Sequence, residues 1–351
     1  MGLNPKLWKG KRILLTGHTG FKGSWLTFLL KDLGAEVIGI SLKPLGPQAL
    51  YLDAKISKEV QTEFFCDIRS ESSIKRAFEA SEIDYVFHLA AQAFVRRSVR
   101  DPIESITINV CGTANVLMSA LALENLLGVT IVTTDKVYEN FGTEIAFKET
   151  DKLGGKDPYS ASKAAAEIIA LSISSTNNPH KIPVTTVRAG NVIGGGDWGE
   201  ERLVPDLVRA LTTNFPLSIR NPKAVRPWQH VLDCLYGYLL VAQSHLEEKN
   251  EIPKSVNFGP EKSLSVMDLV TLFEEAFDKR ITQEVVKPLI PESEWLMLDS
   301  SLAREYFKWE PSLSPSQAVR LTADWYSRFL NGMDAKALVL ESISEYKVGK
   351  W

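Results

Sequence analysis

The chain has 351 residues, 40 Lys and Arg against 43 Asp and Glu, a formal net charge of −3, and 44% hydrophobic residues. That length suits one large or two modest domains with a sizeable core, and the near-neutral balance argues against a nucleic acid or another polyanion as partner. Three scattered cysteines (Cys66, Cys111, Cys234) make no disulfide framework, and five histidines without a His-x-x-x-His pair point away from a metal site. No run reaches transmembrane length and no signal-peptide pattern opens the chain, so the expectation is a soluble cytoplasmic protein that does not span a membrane.

The first half alternates short apolar runs with amphipathic stretches. Residues 12–16 predict a buried strand, 21–33 a helix, 36–40 a second strand, 63–66 a third, 71–79 a helix and 85–89 a fourth strand. A long helix is predicted over 102–126, where Ile106, Val110, Leu117 and Leu121 recur at near four-residue steps. Residues 129–134 predict a fifth strand, 159–175 a helix and 184–188 a sixth strand. Strands apolar on both faces and separated by helices imply a parallel sheet with right-handed crossovers, a Rossmann-type doubly wound α/β fold. Beyond residue 188 the texture changes: residues 190–199 hold five glycines. The expected division is a nucleotide domain over 1–189, with 229–257 packing back on it. A smaller C-terminal α/β lobe and tail would be built from 190–228 and 258–351.

The first strand runs into Thr16-Gly17-His18-Thr19-Gly20-Phe21-Lys22-Gly23. Glycines at a step of three between a strand and an apolar helix let a pyrophosphate approach the backbone and meet the free N–H groups of the helix start. An acid for the ribose 2′-hydroxyl is missing at the end of the second strand, which reads Ile40-Ser41-Leu42-Lys43. Ser41 can bond the ribose, and Lys43 can meet a 2′-phosphate or sit solvated, so this stretch alone leaves NAD against NADP open. Asp67 closes the third strand, where it can accept from an adenine amino group, cap the following turn, or do both.

Tyr159 and Lys163 stand four apart on a predicted helix and share a face. An ammonium beside a phenol stabilises the phenolate, which would lower the Tyr159 pKa and make it a usable base. Thr134, Asp135 and Lys136 close the fifth strand, at the carboxyl edge where open α/β sheets bind ligands. Thr134 can donate to a substrate oxygen beside Tyr159.

Glycine loop, strand-end threonine and Tyr-x-x-x-Lys helix together resemble the extended short-chain dehydrogenase/reductase family, which modifies nucleotide sugars. The resemblance runs to about residue 320. It takes in His88-Leu89-Ala90-Ala91-Gln92 and Asn109-Val-Cys-Gly112-Thr113-Ala-Asn115, and it is sharpest in Thr134-Asp135-Lys136-Val-Tyr138-Glu139-Asn140, Arg188-Ala-Gly190-Asn191-Val-Ile193-Gly194 and Val225-Arg226-Pro227-Trp228-Gln229-His230. These pieces are similar to the branch of the family that dehydrates CDP-D-glucose. The resemblance implies NAD as cofactor, held by Gly17, Gly20, Phe21, Lys22, Gly23, Ser41, Asp67, Ile68, Ala90, Ala91, Gln92, Tyr159 and Lys163. It implies CDP-D-glucose as substrate, and oxidation at C4, loss of water across C5–C6 and reduction at C6 as the reaction. That would be the first committed step toward CDP-deoxysugars of cell-surface polysaccharide, run by a homodimer, with a tetramer as the alternative.

In that scheme Tyr159 is the base at the C4 hydroxyl, with Thr134 and Lys163 in support, and Asp135, kept protonated by burial, is the acid for the leaving hydroxyl. Lys136 is either the C5 base, its pKa lowered by burial near Lys163, or a charge that stabilises the enolate. Arg97, Ser98, Asn191, Arg202, Arg226 and His230 are the candidates for substrate, the last of which can instead cap a helix. The alternatives are another nucleotide-sugar dehydratase, a 4-epimerase, or a non-catalytic dinucleotide-binding regulator. The cleft would gather Lys136, Lys163, Arg202 and Arg226, a local positive charge that the net of −3 conceals.

Overall fold

The computed structural model describes residues 2–350 apart from positions 45, 143, 214, 250 and 288–294. Seven parallel strands form the central sheet: β1 (Arg12–Thr16), β2 (Glu36–Ser41), β3 (Thr62–Phe65), β4 (Tyr85–His88), β5 (Val129–Val132), β6 (Val184–Ala189) and β7 (Ser255–Phe258). Their spatial order is β7-β6-β5-β4-β1-β2-β3, all neighbours parallel. The strand order reverses between β1 and β4, and the crevice at their carboxyl ends is where such sheets take ligands.

Alternation along β1 explains why both faces are covered. Ile13 and Leu15 enter a core with Trp25, Leu26 and Leu29 of helix α1 (Phe21–Asp32), while Leu14 enters a second core with Ile74 of α2 (Glu71–Glu79) and Val116 and Leu117 of α3 (Thr113–Leu121). Fully burying each such side chain contributes about 1.5–3 kcal/mol.

The helix predicted over 102–126 is interrupted. Pro102–Ile106 is α-helical, Thr107–Gly112 widens into a π-turn, and α3 ends at Leu121. The widening serves packing: Gly112 lies on Ile68, whose Cδ1 a Cβ there would meet at 2.5 Å. It also aims Asn109 at the loop after β4, a use typical of π-turns at functional sites.

Helix α4 (Pro158–Thr176) starts from Asp157, which accepts from the Ser160 N–H at 3.0 Å, with Pro158 at the first helical position. Residues after β6 build short pairings: Val192–Ile193 beside Gln229–His230, Leu217–Ile219 beside Gln283–Val285, and Val225–Arg226 antiparallel to Leu264–Ser265. Helix α5 (Val231–Leu246) and β7 return to the main sheet. The C-terminal helix α6 (Ala335–Lys350) also lies on the nucleotide side: Tyr346 donates to Asp233 at 2.7 Å, and Lys336 pairs with Glu59 at 2.6 Å. No helix among the described residues is long and apolar enough to cross a membrane.

Candidate active site

The glycine loop takes its shape from three glycines, each for its own reason. Gly17 has φ +79°, a conformation that side chains resist, and a Cβ there would lie 2.8 Å from the Ala90 nitrogen. A Cβ on Gly23 would lie 2.1 Å from the Gly17 carbonyl oxygen, so only glycine lets α1 start this close to the turn. Gly20 is the N-cap of α1 with no side chain capping the helix and no acid in the first turn. An uncapped helix start of twelve residues facing the sheet's crevice offers N–H groups and a positive dipole end to an anion. These residues fit a dinucleotide pyrophosphate.

The carboxyl ends of β1 and β4 are tied together beneath this loop. Thr16 accepts from the Leu89 and Ala90 N–H groups, both at 3.1 Å, and donates to His88 Nδ1 at 2.7 Å. His88 Nε2 in turn donates to Thr113, which donates to the Asn109 carbonyl. Burial pushes His88 down to about 3, and the Lys163 charge adds to that. Asn109 closes the next link: its amide accepts from the Gln92 N–H at 2.8 Å and donates to the Gln92 carbonyl and to Ser162 of α4 at 2.9 Å. Sequence reading gave neither Thr16 nor Asn109 a role; the signal was Asn109 inside the quoted helix motif.

At the other end of the crevice, Ser41 and Thr19 share a hydrogen bond at 2.7 Å, a hydroxyl pair where a carboxylate is usual. Asp67 is engaged by Arg69, whose guanidinium lies 2.6 Å away and holds the carboxyl below its ordinary range. Ile68 is buried against Gly112, and Ala90 and Ala91 line the turn after β4. The Gln92 side chain is occupied locally: its amide donates to Ser105 at 2.8 Å and its oxygen accepts from the Phe94 N–H. Phe21 packs against the main core, whereas Lys22 reaches inward, donating to Tyr238 at 3.3 Å and acting on both Asp135 and Lys163.

The structure brings Thr134, Asp135, Tyr159 and Lys163 together. Thr134 caps a single 3-10 turn, Asp135–Val137, and donates to Asp135 Oδ1 at 3.0 Å. The other oxygen, Oδ2, is buried without a hydrogen-bond partner. Burial raises the Asp135 pKa, with Lys136, Thr134, Arg226 and Lys22 pulling against it. Space for this carboxyl exists because residue 190 is glycine: a Cβ there would stand 1.7 Å from Oδ2. Lys163 is 5% exposed and donates to the Val132 carbonyl at 2.8 Å; burial lowers it to about 8.

Two electrostatic expectations change. Tyr159 is pushed up to about 12 rather than down, because burial outweighs the Thr134 hydrogen bond and the Arg202 charge, and the Lys163 ammonium is turned to Val132. Lys136 is exposed on the turn that buries Asp135, so the burial on which its role as a neutral base depended is absent. The cause is geometric: a 3-10 turn advances about 120° per residue, so neighbours face different ways.

The substrate candidates separate. Arg202 pairs with Asp197 at 2.9 Å, lies over the Phe94 ring at 5.2 Å and acts on Tyr159, so it stands at the reacting end. Arg226 acts on Asp135. Asn191 is left-handed at φ 48°, and its carbonyl accepts from the Gln229 N–H. Ser98 is fully buried and accepts from the Tyr159 N–H at 3.0 Å, which makes it a support for the start of α4. Arg97 is spent on Glu104 at 2.6 Å. His230 takes the capping role: Nδ1 accepts from the Leu232 N–H at the start of α5, and its ring is buried edge-on to Trp25, which pushes it down to about 4.

The model of the NAD dependent epimerase/dehydratase family matches residues 13–259. A CDP-glucose 4,6-dehydratase of Salmonella typhimurium is 35% identical over 98% of both chains. A probable dTDP-glucose 4,6-dehydratase of Sinorhizobium fredii is 29% identical over 74% of each. The fold matches that of UDP-glucuronic acid 4-epimerase from Bacillus cereus, solved with UDP-glucuronic acid and NAD, with a TM-score of 0.79 at 24% identity, covering 91% of this chain and 99% of that one.

Proposed function

The chain belongs to the NAD dependent epimerase/dehydratase family, an enzyme family with NAD as cofactor, and from that premise we propose that it converts CDP-D-glucose to CDP-4-keto-6-deoxy-D-glucose. The observation that carries this reading is the Asp135 carboxyl. It is buried, keeps one oxygen unpartnered and has a raised pKa, beside the Thr134 and Tyr159 hydroxyls. Burial of that kind favours the protonated carboxyl, the form that the loss of a C6 hydroxyl requires and inversion at C4 does not.

The pyrophosphate of NAD is assigned to Gly17, Gly20 and the start of α1, the adenosine end to Thr19, Ser41 and the Asp67–Ile68 turn, and the nicotinamide ribose to Tyr159 and Lys163. When bound, NAD supplies a two-electron acceptor at C4 of the hexose and returns the pair at C6. The residues do the proton work. Tyr159 Oη takes the C4 hydroxyl proton as a phenolate, a form that burial disfavours here and that the Lys163 ammonium, turned from the Val132 carbonyl toward the ribose, would favour; Thr134 orients the oxygen. Once C4 is a ketone the C5 proton is acidic and passes to water at the open side of the turn, beside exposed Lys136; the electron pair left at C5 expels the C6 hydroxyl, which leaves as water with the Asp135 proton, and C5 takes a proton back as the hydride pair returns at C6. Lys136, exposed rather than buried, suits the electrostatic role at the enolate better than that of a desolvated base. Arg202 and Arg226 are assigned to the substrate's phosphates, as forks matched to phosphoryl oxygens.

We also propose a homodimer. Helices at 102–121 and α4 leave Ile103, Met118 and Ile168 at 67%, 45% and 54% exposure, an apolar face suited to a second copy. A molar mass of two chains in solution is expected; one chain would reject it. The activity test is incubation with CDP-, UDP- and dTDP-glucose, reading the 4-keto-6-deoxy product by its absorbance in strong alkali. Product from CDP-glucose is expected. Product from another nucleotide only, or a 4-epimer with no keto sugar, would replace this reading by one of its alternatives.

A further inference from the structure

Behind the reacting residues lies a buried ion pair that none of the proton steps uses. Glu167 of α4 and Arg188 of β6 are 0% and 2% exposed and form a salt bridge. Both carboxylate oxygens are fully engaged. Oε1 accepts from Arg188 Nε at 2.9 Å, from Thr186 at 3.0 Å and from Ser255 at 3.1 Å, and Oε2 accepts from Thr133 at 2.9 Å. Arg188 continues the chain, donating to Tyr138 at 2.5 Å, and Tyr138 donates to Asn257 at 2.7 Å. One carboxylate therefore ties the residue after β5 to the middle of β6, the first residue of β7 and α4, and through Arg188 and Tyr138 reaches the end of the turn that carries Asp135.

We propose that Glu167 is a positioning residue for the reaction, fixing the Thr133–Thr134–Asp135 segment through Thr133 and Arg188 while placing a negative charge one helical turn from Lys163. This inference rests on the reading that Thr134, Asp135, Tyr159 and Lys163 form the reacting site. A buried pair is poor evidence of stability, because taking both charges out of water costs about what their attraction returns. Its bonds to Thr133 and, through Arg188, to Tyr138 hold the Asp135 turn from both sides and give it a different use.

Lys163 shows the electrical side of that use. Facing it are Lys22 from α1, His88 from β4, the Val132 carbonyl from β5, and Tyr159 and Glu167 on its own helix. Burial and Lys22 act against the charged ammonium, and Glu167 acts for it. Without the carboxylate, Lys163 would lose its proton at lower pH.

The test compares Glu167→Gln, which keeps the shape and removes the charge, with Glu167→Asp, which keeps the charge. Wild-type NAD affinity and kcat/KM are expected to fall as pH rises through about 8. In Glu167→Gln that alkaline limb is expected about one to two units lower, from a unit charge about a helical turn away at an intermediate dielectric. Glu167→Asp should return it toward the wild-type position, a rescue that a purely structural role would not give. A folded Glu167→Gln with an unmoved limb in both readouts overturns the inference. If Glu167→Gln does not fold, Thr133→Val takes away one hydroxyl and no charge. It should lower kcat about tenfold with KM and NAD affinity unchanged, as a small misplacement of reacting groups does. A wild-type kcat in that variant overturns the inference. Should wild-type protein turn over no nucleotide hexose, the proposed function fails, while the pH dependence of NAD binding still decides the role of Glu167.

Discussion

Gly190 is the point at which backbone and chemistry meet, and Gly190→Ala isolates it. The new methyl would start 1.7 Å from Asp135 Oδ2, 2.2 Å from Cγ and 2.9 Å from Oδ1. Ordinary contact needs a little over 3 Å, so the carboxyl must retreat by roughly 1.5 Å. It has little room, being 2% exposed and flanked by Thr134. The glycine loop, Tyr159 and Lys163 lie outside this collision. A displacement of about 1 Å in a reacting group costs about a hundredfold. Product formation from CDP-glucose should therefore fall about a hundredfold or more, while reduction of bound cofactor by substrate, which needs the C4 chemistry alone, falls far less. The assay pairs alkaline absorbance of the keto product with single-turnover cofactor absorbance, after circular dichroism and melting have shown the variant folded. Equal loss of both half-reactions would remove Asp135 from the leaving-group step, and a wild-type rate would refute the crowding itself.

Three further substitutions divide the remaining roles. Tyr159→Phe should cost about a hundredfold to ten-thousandfold in substrate oxidation with NAD binding retained, measured by single-turnover absorbance and by titration of NAD. Lys136→Met should abolish dehydration yet still permit slow reduction of the cofactor by substrate; equal loss of both would assign Lys136 to binding or folding instead. Asp135→Asn should abolish dehydration and raise stability at neutral pH. The sign follows from the raised pKa: the native state holds this proton more tightly than the unfolded chain, so the advantage of the protonated form is present at low pH and is lost as pH rises through the native value. Melting curves of Asp135→Asn and wild type should thus converge in acid and diverge toward neutrality, and parallel curves would contradict the assignment.

Much of the nucleotide half was legible because its signals are local. Burial on both faces wrote β1 and β5 as apolar runs, and the step-of-three glycines marked the turn into α1, where the structure finds φ +79° at Gly17. Strand β7 was not legible: residues 255–258 pair with 186–189, far back in the chain, and its run Ser255-Val-Asn-Phe258 buries a polar residue, Asn257, so no apolar stretch marks it. The π-turn at 107–112 was hidden for a related reason, since it is set by Ile68 and Gln92 rather than by the helix's own residues. Site residues followed the same rule. Residue type and spacing singled out Arg97 and Ser98, but nothing local revealed that Glu104 and the Tyr159 N–H would engage them; for His230 the capping alternative read from its place at a helix start is the one the structure shows. Lys136 was read with its neighbour as a pair, and the 3-10 turn gave the two opposite surroundings.

That opposition bears on how one scaffold can serve both C4 inversion and dehydration. The parts assigned above to oxidation at C4 sit on long elements: Tyr159 and Lys163 on α4, whose start is held by Ser98 and Asp157, and the glycine loop between β1 and α1. The parts that would add elimination sit on one 3-10 turn of three residues, Asp135–Val137. A turn this short can change its side chains without disturbing the sheet, provided the strand beneath it stays fixed and the space opposite stays open. Thr133, bonded to Glu167, meets the first condition and Gly190 the second. Specificity between the two reactions would then be set by two side chains and by the glycine that makes room for one of them.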